Sequence, residues 1–185
     1  SGVDAFNSIV AGTSQGTAYG YRALYTSADN DYNSAFGACA LYTNNGGYSN
    51  AAFGNSALQN NTTGAQNTAV GSFANKLNTT GGQNIAVGHS ALLTNTTASY
   101  NTAVGTTALF ATTTGTCNTA LGTAALAKNT TGSHNIGIGV YSVCATTTGD
   151  RNVGTGNFTL QENTTGVNNA AFGYQAGRCN STGND

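Results

Sequence analysis

The side chains that could do covalent or acid–base chemistry are few in this chain and widely scattered. Its 185 residues include four cysteines and two histidines, and only 6% are charged. Cys117, His134 and Arg151 recur at intervals of 17 residues, which would align a thiol, an imidazole and a guanidinium in a fold of that period. Elsewhere the same line carries Tyr, Ser, Gln and Asn, so we interpret it as a variable exposed column rather than a nucleophile site.

The carboxylates and histidines form no pattern typical of catalysis or metal binding. Asp29 and Asp31 begin like a calcium loop, but the glycine and the late glutamate of such a loop are missing. His89 and His134 lack the spacing of zinc ligands, and no pair of carboxylates recurs. We therefore predict that the protein is not an enzyme and uses no metal or cofactor.

The four cysteines are Cys39, Cys117, Cys144 and Cys179, and they occupy different places in non-adjacent repeats. Cys144 and Cys179 are nearly in line but two repeats apart, roughly 10 Å if stacked strands rise about 4.8 Å each. That distance exceeds the Cα separation that a disulfide accepts. We expect free thiols rather than intrachain disulfides, with links between chains left open.

A strict 17-residue repeat organises the chain from residue 16 to residue 185. With the usual asparagine as position 1, the consensus is N-T-A-V-G-x-x-A-L-x-x-N-T-T-G-x-x, and no insertion or deletion interrupts it. A repeat of this kind predicts a solenoid. The position-5 glycines, which we expect to be structural turn residues, are Gly20, Gly37, Gly54, Gly71, Gly88, Gly105, Gly122, Gly139, Gly156 and Gly173.

Each repeat contains two short apolar pairs. Positions 3 and 4 are mostly Ala followed by a large or β-branched residue, and positions 8 and 9 are mostly Ala-Leu. Separated by glycine and closed by Asn-Thr-Thr-Gly, these pairs predict two short strands per coil. We therefore predict an all-β, parallel β-solenoid of ten coils over residues 16–185, on the order of 50 Å long. Residues 1–15 lie off the period and are a candidate N-terminal cap or docking segment.

Three polar or glycine columns have predicted structural roles. Glycine at position 5 implies a positive φ or close contact with the next coil. The second glycine, at position 15, implies a left-handed residue, which predicts local strain or a changed turn where Ala98 replaces it. The position-1 asparagines are expected to form hydrogen bonds between side-chain amides along the rod.

The Asn-Thr-Thr turn gives polar columns at positions 12 and 14, which would share one side of a locally extended chain. Three interpretations of these columns remain open: turn hydrogen bonds, N-glycosylation, and ice binding by a regular threonine array. The candidate glycan acceptors are Asn60, Asn61, Asn78, Asn95, Asn129, Asn157, Asn163 and Asn180.

The segments 67–71, 84–88 and 101–105, with Ala-Leu three residues after the last two, resemble the head repeats of trimeric autotransporter adhesins and related phage tail-fibre repeats. The resemblance covers nearly the whole chain, although a period of 17 is longer than the usual coil of that family. It implies a left-handed β-roll in which three chains surround a common axis. It also implies an extracellular fibre that attaches to surfaces.

The charge and the apolar content of the chain limit the kinds of partner that it can bind. A formal net charge of −1 leaves no basic field for nucleic acid. No apolar stretch reaches the roughly 20 residues that span a bilayer, so we expect no membrane insertion. We predict an extracellular, cell-surface or virion-surface fibre or adhesin shaft that self-associates as a trimer or end to end. Covalent glycans or a host-surface ligand are its other predicted partners, and ice binding through the threonines is the alternative function.

Overall fold

The protein is a parallel β-solenoid, as the repeat predicts. The computed structural model describes residues 15–26 and 32–184, so the expected cap over residues 1–15 lies, apart from Gln15, outside the described residues. Ten three-residue strands form one parallel sheet in sequential order. The strands are β1 (Thr17–Tyr19), β2 (Ser34–Phe36), β3 (Ala51–Phe53), β4 (Thr68–Val70), β5 (Ile85–Val87), β6 (Thr102–Val104), β7 (Thr119–Leu121), β8 (Ile136–Ile138), β9 (Val153–Thr155) and β10 (Ala170–Phe172).

Strand pairing repeats the 17-residue period without a slip. Ala35 pairs with Ala52, and Ala103 pairs with Ala120, so identical positions stack coil upon coil. No helix in the described part of the chain is long and apolar enough to cross a membrane.

The core is a thin column of small apolar side chains. In coil 101–117, Ala103 of the strand is buried together with Ala108 and Leu109, and equivalent residues of the other coils join the same cluster. Because the inner residues are mainly Ala and Leu, one coil buries little apolar surface by itself. Stacking between coils must therefore supply most of the stability, as in other solenoids.

The second apolar pair does not form the expected second strand, so each described coil has one strand rather than two. Coils still join through this segment, since the Leu109 N–H donates to the Ala125 carbonyl at 3.0 Å. However, positions 7 and 9 have positive φ, with values of 55° at Thr107 and 49° at Leu109. Left-handed residues at every second position bend the chain, which prevents an extended strand.

The position-5 glycines satisfy both predicted reasons for glycine. Gly105 has a φ of +138°, and a Cβ there would lie 2.6 Å from the carbonyl carbon of Gly122 in the next coil. The prediction for position 15 is wrong, because Gly64 and its equivalents lie outside the left-handed region. A Cβ on Gly64 would instead come within 2.6 Å of Asn78 Nδ2. Close packing, rather than backbone conformation, therefore selects glycine at position 15.

Ala98 is the one exception in the position-15 glycine column among the described residues, and the next coil differs beside it. That coil carries Thr112 in place of the usual asparagine, and the smaller side chain gives room for the Ala98 methyl group. The turn is looser here, because the Thr96 N–H to Thr113 carbonyl bond is 3.3 Å, against 2.8 Å from Thr79 to Thr96 one coil earlier. Ala98 itself has no positive φ, so the left-handed strain predicted there is absent, and the changed turn takes the form of a lengthened hydrogen bond.

Candidate functional site

The column with the best candidates for covalent chemistry does not assemble a reactive site. Cys117, His134 and Arg151 are all exposed and lie in consecutive coils. In the described ranges no hydrogen bond or ion pair joins their side chains, and no group of three Cys, His, Asp or Glu residues is placed to hold a metal ion. Asp29 and Asp31 lie outside the described residues.

All four cysteines are free thiols, as predicted from their spacing. Cys117 and Cys179 are exposed, whereas Cys39 and Cys144 are half-buried. Burial raises the pKa of the Cys144 thiol, and the nearby positive charge of Lys128 offsets part of that rise. A thiol with a raised pKa is a poor nucleophile near neutral pH, so the surroundings of Cys144 do not activate its thiol.

The position-1 asparagines form the predicted ladder, and it lies inside the solenoid. Asn101 Nδ2 donates to the Gly115 carbonyl at 2.9 Å within its own coil. Its Oδ1 accepts the backbone N–H of Asn118 at 2.9 Å and Asn118 Nδ2 at 3.2 Å from the next coil. The side chain is fully buried. The ladder therefore satisfies backbone groups and fixes the coil register, and it is closed to external ligands.

A second asparagine ladder occupies position 12, which corrects the prediction that positions 12 and 14 share one side. Asn61 Nδ2 donates to Asn44 Oδ1 at 2.7 Å and to the Gly64 carbonyl at 2.8 Å. Asn61 is completely buried, whereas Thr63, two residues later, is exposed. The chain turns between these residues, so the asparagine points to the core and the threonine to solvent.

The structure separates the eight candidate glycan acceptors into two groups. Five have fully buried side chains in the position-12 column: Asn61, Asn78, Asn95, Asn129 and Asn163. A glycan on such an amide nitrogen has no space in the folded coil. The other three are accessible and stay candidate acceptors: Asn60 and Asn180 are half-buried, and Asn157 is exposed.

The turn presents two adjacent threonine columns to solvent, which we call the threonine face. At position 13 the hydroxyl bonds to the next coil, as when Thr62 Oγ1 donates to the Thr79 carbonyl at 2.9 Å. At position 14 the side chains are exposed and, within the described residues, their hydroxyls make no intramolecular hydrogen bond. Position 13 comprises Thr62, Thr79, Thr96, Thr113, Thr130, Thr147 and Thr164, and position 14 comprises Thr63, Thr80, Thr97, Thr114, Thr131, Thr148, Thr165 and Thr182.

The outward side of the sheet is a continuous uncharged strip, which we call the outer sheet face. It consists of positions 2 and 4 of all ten coils, and it contains no Asp, Glu, Lys or Arg. Many of its large side chains are exposed: Leu121 is 47% exposed and Phe172 is 70% exposed. Phe36 and Phe53 stack along it with ring centroids 5.0 Å apart and planes within 3°.

The tyrosines of the first coils are only partly packed. The rings of Tyr25 and Tyr42 stack at 5.3 Å, and the Arg22 guanidinium lies 5.1 Å from the Tyr25 ring and 5.0 Å from the Tyr21 ring. Several of the other rings of this region are exposed to solvent, which fits either a contact surface or the packing of a terminal cap. The exposed tyrosines are Tyr19, Tyr21, Tyr32 and Tyr48.

Comparison of the chain with family models, with curated proteins and with solved structures finds no match. The resemblance to adhesin heads and tail-fibre repeats therefore stays a prediction, and function must be argued from the two exposed faces.

Proposed function

We propose that this protein is a shaft segment of an extracellular fibre or adhesin, in which copies of the chain associate through the outer sheet face. The observation that carries the proposal is the continuous uncharged strip along all ten strands, with large apolar side chains exposed to solvent. Soluble proteins rarely leave many large apolar side chains exposed along one continuous strip unless that strip binds a partner.

The dimensions of the outer sheet face suit a partner of the same shape. Ten strands at about 4.8 Å and three residues at about 3.3 Å give roughly 500 Å² of projected area. A second copy of the chain offers an equally long and flat strip with the same spacing, so identical residues can meet identical or neighbouring residues along the whole rod. The resemblance to trimeric adhesin heads favours three chains, whereas end-to-end association is the alternative arrangement.

The mechanism would combine rigidity with repeated display. The coils are fixed to one another by strand pairing, by the position-1 asparagines and, over residues 33–100, by the position-12 asparagines, so the shaft resists bending. Each coil also repeats the same exposed surface, and weak contacts that repeat on one rigid body gain strength from multivalency. Glycans at Asn60, Asn157 or Asn180 would add to this display without entering the core.

The test compares two exposed leucines, one inside and one outside the outer sheet face. Leu121 lies in the face at 47% exposure, and Leu77 lies at position 11 with 36% exposure. We expect the wild-type chain to form multimers whose mass rises with concentration in light scattering. Leu121→Lys should shift them toward monomer, because a charge cannot be desolvated cheaply in an apolar contact.

Leu77→Lys is the matched control and should assemble like the wild type. Far-UV circular dichroism should show that both variants keep the sheet, since both side chains point to solvent. A wild-type chain that stays monomeric at every concentration, or equal assembly of the two variants, would show that this face is not the association surface.

A further inference from the structure

We infer that the threonine face binds ice. This activity goes beyond the proposed shaft function and is independent of it, because the threonine face comprises positions 13 and 14 of the coil whereas the outer sheet face comprises positions 2 and 4. The juxtaposition that supports the inference is a column of exposed, unpaired hydroxyls beside a column of hydroxyls that are bonded within the protein.

The first step of the argument is the state of the position-14 hydroxyls. Thr63 and its seven equivalents are exposed in eight consecutive coils, and in the described residues none of their hydroxyls is bonded to the protein. Each therefore has one donor and two acceptor sites available to water. The column is uniform, because the asparagines that alternate with it in sequence are buried behind it.

The second step is the rigidity of the array. At position 13, Thr79 Oγ1 donates to the Thr96 carbonyl at 2.9 Å, and Thr130 Oγ1 donates to the Thr147 carbonyl at 2.9 Å. These bonds fix the side chains of position 13 and tie each turn to the next. Behind the turn, the buried position-12 amides of Asn44, Asn61, Asn78 and Asn95 join four consecutive coils again. The backbone that carries both threonine columns is therefore held at the spacing of stacked strands, about 4.8 Å.

The third step is the chemistry of the ligand. A flat row of equally spaced hydroxyls and methyl groups orders water into a regular layer, and the spacing of about 4.8 Å is close to a repeat of the ice lattice. Because the turn backbone and the position-13 hydroxyls are already ordered, the remaining entropic cost is that of the position-14 side chains and of immobilised water, which is small for each water. The face has no charged residue that would hold a competing hydration shell.

A crystalline polysaccharide is the other ligand with a regular repeat, but the face suits it less well. Sugar rings present apolar faces that stack on aromatic side chains, and positions 13 and 14 contain no aromatic residue in the described coils. Carboxylates that would bind several sugar hydroxyls at once are also absent from these two columns there. The observations therefore favour ice over a crystalline polysaccharide as the ligand of the threonine face.

The test measures thermal hysteresis and ice-crystal shape for the full chain and two matched double variants. Thr114→Lys with Thr131→Lys changes two hydroxyls of the threonine face. Thr106→Lys with Thr123→Lys changes two exposed threonines outside the face, in the same two coils. We expect hysteresis and faceted crystals for the wild type and for the control variant, and loss of both for the face variant.

Three results would overturn the inference. The first is wild-type hysteresis no greater than that of an unrelated soluble protein at equal concentration. The second is equal hysteresis in the two variants, provided that circular dichroism shows both to be folded. The third is binding to insoluble cellulose or chitin that depends on Thr114 and Thr131 while hysteresis is absent. Loss of assembly through the outer sheet face would change none of these readings.

Discussion

At the scale of single residues, a smaller side chain on the strand is matched by a larger one on the facing wall, so the core keeps its width. Most coils place Ala at positions 3 and 8, but coils 135–151 and 152–168 combine Gly137 and Gly154 with Ser142 and Thr159. A Cβ on Gly154 would lie 2.6 Å from Val143 Cγ2, 2.7 Å from Thr159 Oγ1 and 2.8 Å from Ser142 Oγ. The two hydroxyls bond to each other at 2.6 Å and thus remain satisfied in the interior.

This matching of side-chain sizes predicts that substitutions in the strand and in the facing wall have strongly coupled effects on stability. Gly154→Ala should lower the free energy of unfolding by about 1–3 kcal/mol, because it overpacks a filled site. In a Ser142→Ala, Thr159→Ala background the same substitution should cost less, because two of the three close contacts are removed and only that with Val143 remains. The measurement is a double-mutant cycle in urea unfolding, and purely additive effects would show that the two walls do not share this space.

The cysteines predict a graded order of chemical modification. At pH 8, exposed Cys117 should react with a thiol reagent well before half-buried Cys144, whose raised pKa and burial both reduce the available thiolate. The reaction of Cys144 should accelerate as pH rises further, since its thiolate forms only at higher pH. Mass spectrometry of each site gives the rates, with denatured protein as the control. Equal rates at the two sites in the folded protein would contradict this environment for Cys144.

At the scale of the coil, the asparagine ladders could be predicted only in part from the sequence. The position-1 ladder was predicted, because one asparagine per coil in a fixed column has its counterparts directly above and below. The burial of position 12 was missed, because Asn-Thr-Thr at a turn looks entirely polar, and only the path of the chain decides which member points inward. The left-handed residues at positions 7, 9 and 17 were missed as well, since Leu, Thr and Tyr disfavour that conformation locally. Hydrogen bonds to both neighbouring coils override the local preference: Thr107 N–H bonds to the His89 carbonyl, and Leu109 N–H bonds to the Ala125 carbonyl.

The position-1 ladder predicts a large cost for removing one amide. Asn101→Ala leaves the buried Asn118 N–H and Gly115 carbonyl without the partners that Asn101 supplies. At about 1–3 kcal/mol for each of the two unpaired groups, the free energy of unfolding should fall by roughly 2–6 kcal/mol. Asn55→Ala, at an exposed asparagine, is the control and should change stability by less than about 0.5 kcal/mol. Similar unfolding midpoints for the two variants would contradict the structural role of the ladder.

The position-12 ladder predicts a stabilising substitution where it is interrupted. Asn129 Oδ1 is buried without a hydrogen-bond partner, and the next coil carries Thr146 in this column. Thr146→Asn would place an amide donor beside Asn129 Oδ1. The equivalent bond earlier in the column runs from Asn78 Nδ2 to Asn61 Oδ1 at 2.7 Å. We expect a gain of about 0.5–1.5 kcal/mol, reduced by loss of the bond from Thr146 Oγ1 to the Asn163 carbonyl. Urea unfolding measures the change, and destabilisation would show that the ladder does not extend through this coil.

At the scale of the whole molecule, the fold was predictable because the repeat has no insertions and equivalent residues pack in the same way in every coil. The association surface could not be predicted in the same way, because an exposed apolar column and a buried one have the same sequence pattern. Only the path of the coil distinguishes them. Val70 and Ala69 are neighbours in one strand, yet Ala69 is buried and Val70 is 40% exposed. The outer sheet face could therefore be identified only from the structure.

The solenoid predicts that one whole coil can be removed without loss of the fold. Deletion of residues 84–100 keeps every remaining residue in its column, so the chain should fold into a rod shorter by about 4.8 Å and somewhat less stable. Deletion of residues 84–91 removes half of that segment and destroys the register, so it should unfold the protein or split it. Circular dichroism and thermal melting compare the two. Equal damage from both deletions would contradict the nearest-neighbour account of stability.

Mass per unit length of the native material, measured by electron microscopy on individual particles, tests the central claim most directly. One chain has a mass of 18.5 kDa over ten coils, or roughly 0.4 kDa per Å at a rise of about 4.8 Å per coil. If copies associate side by side through the outer sheet face, the particles will show a whole-number multiple of that value, and about threefold for a trimer. Isolated rods with the mass per length of one chain would contradict association through this face.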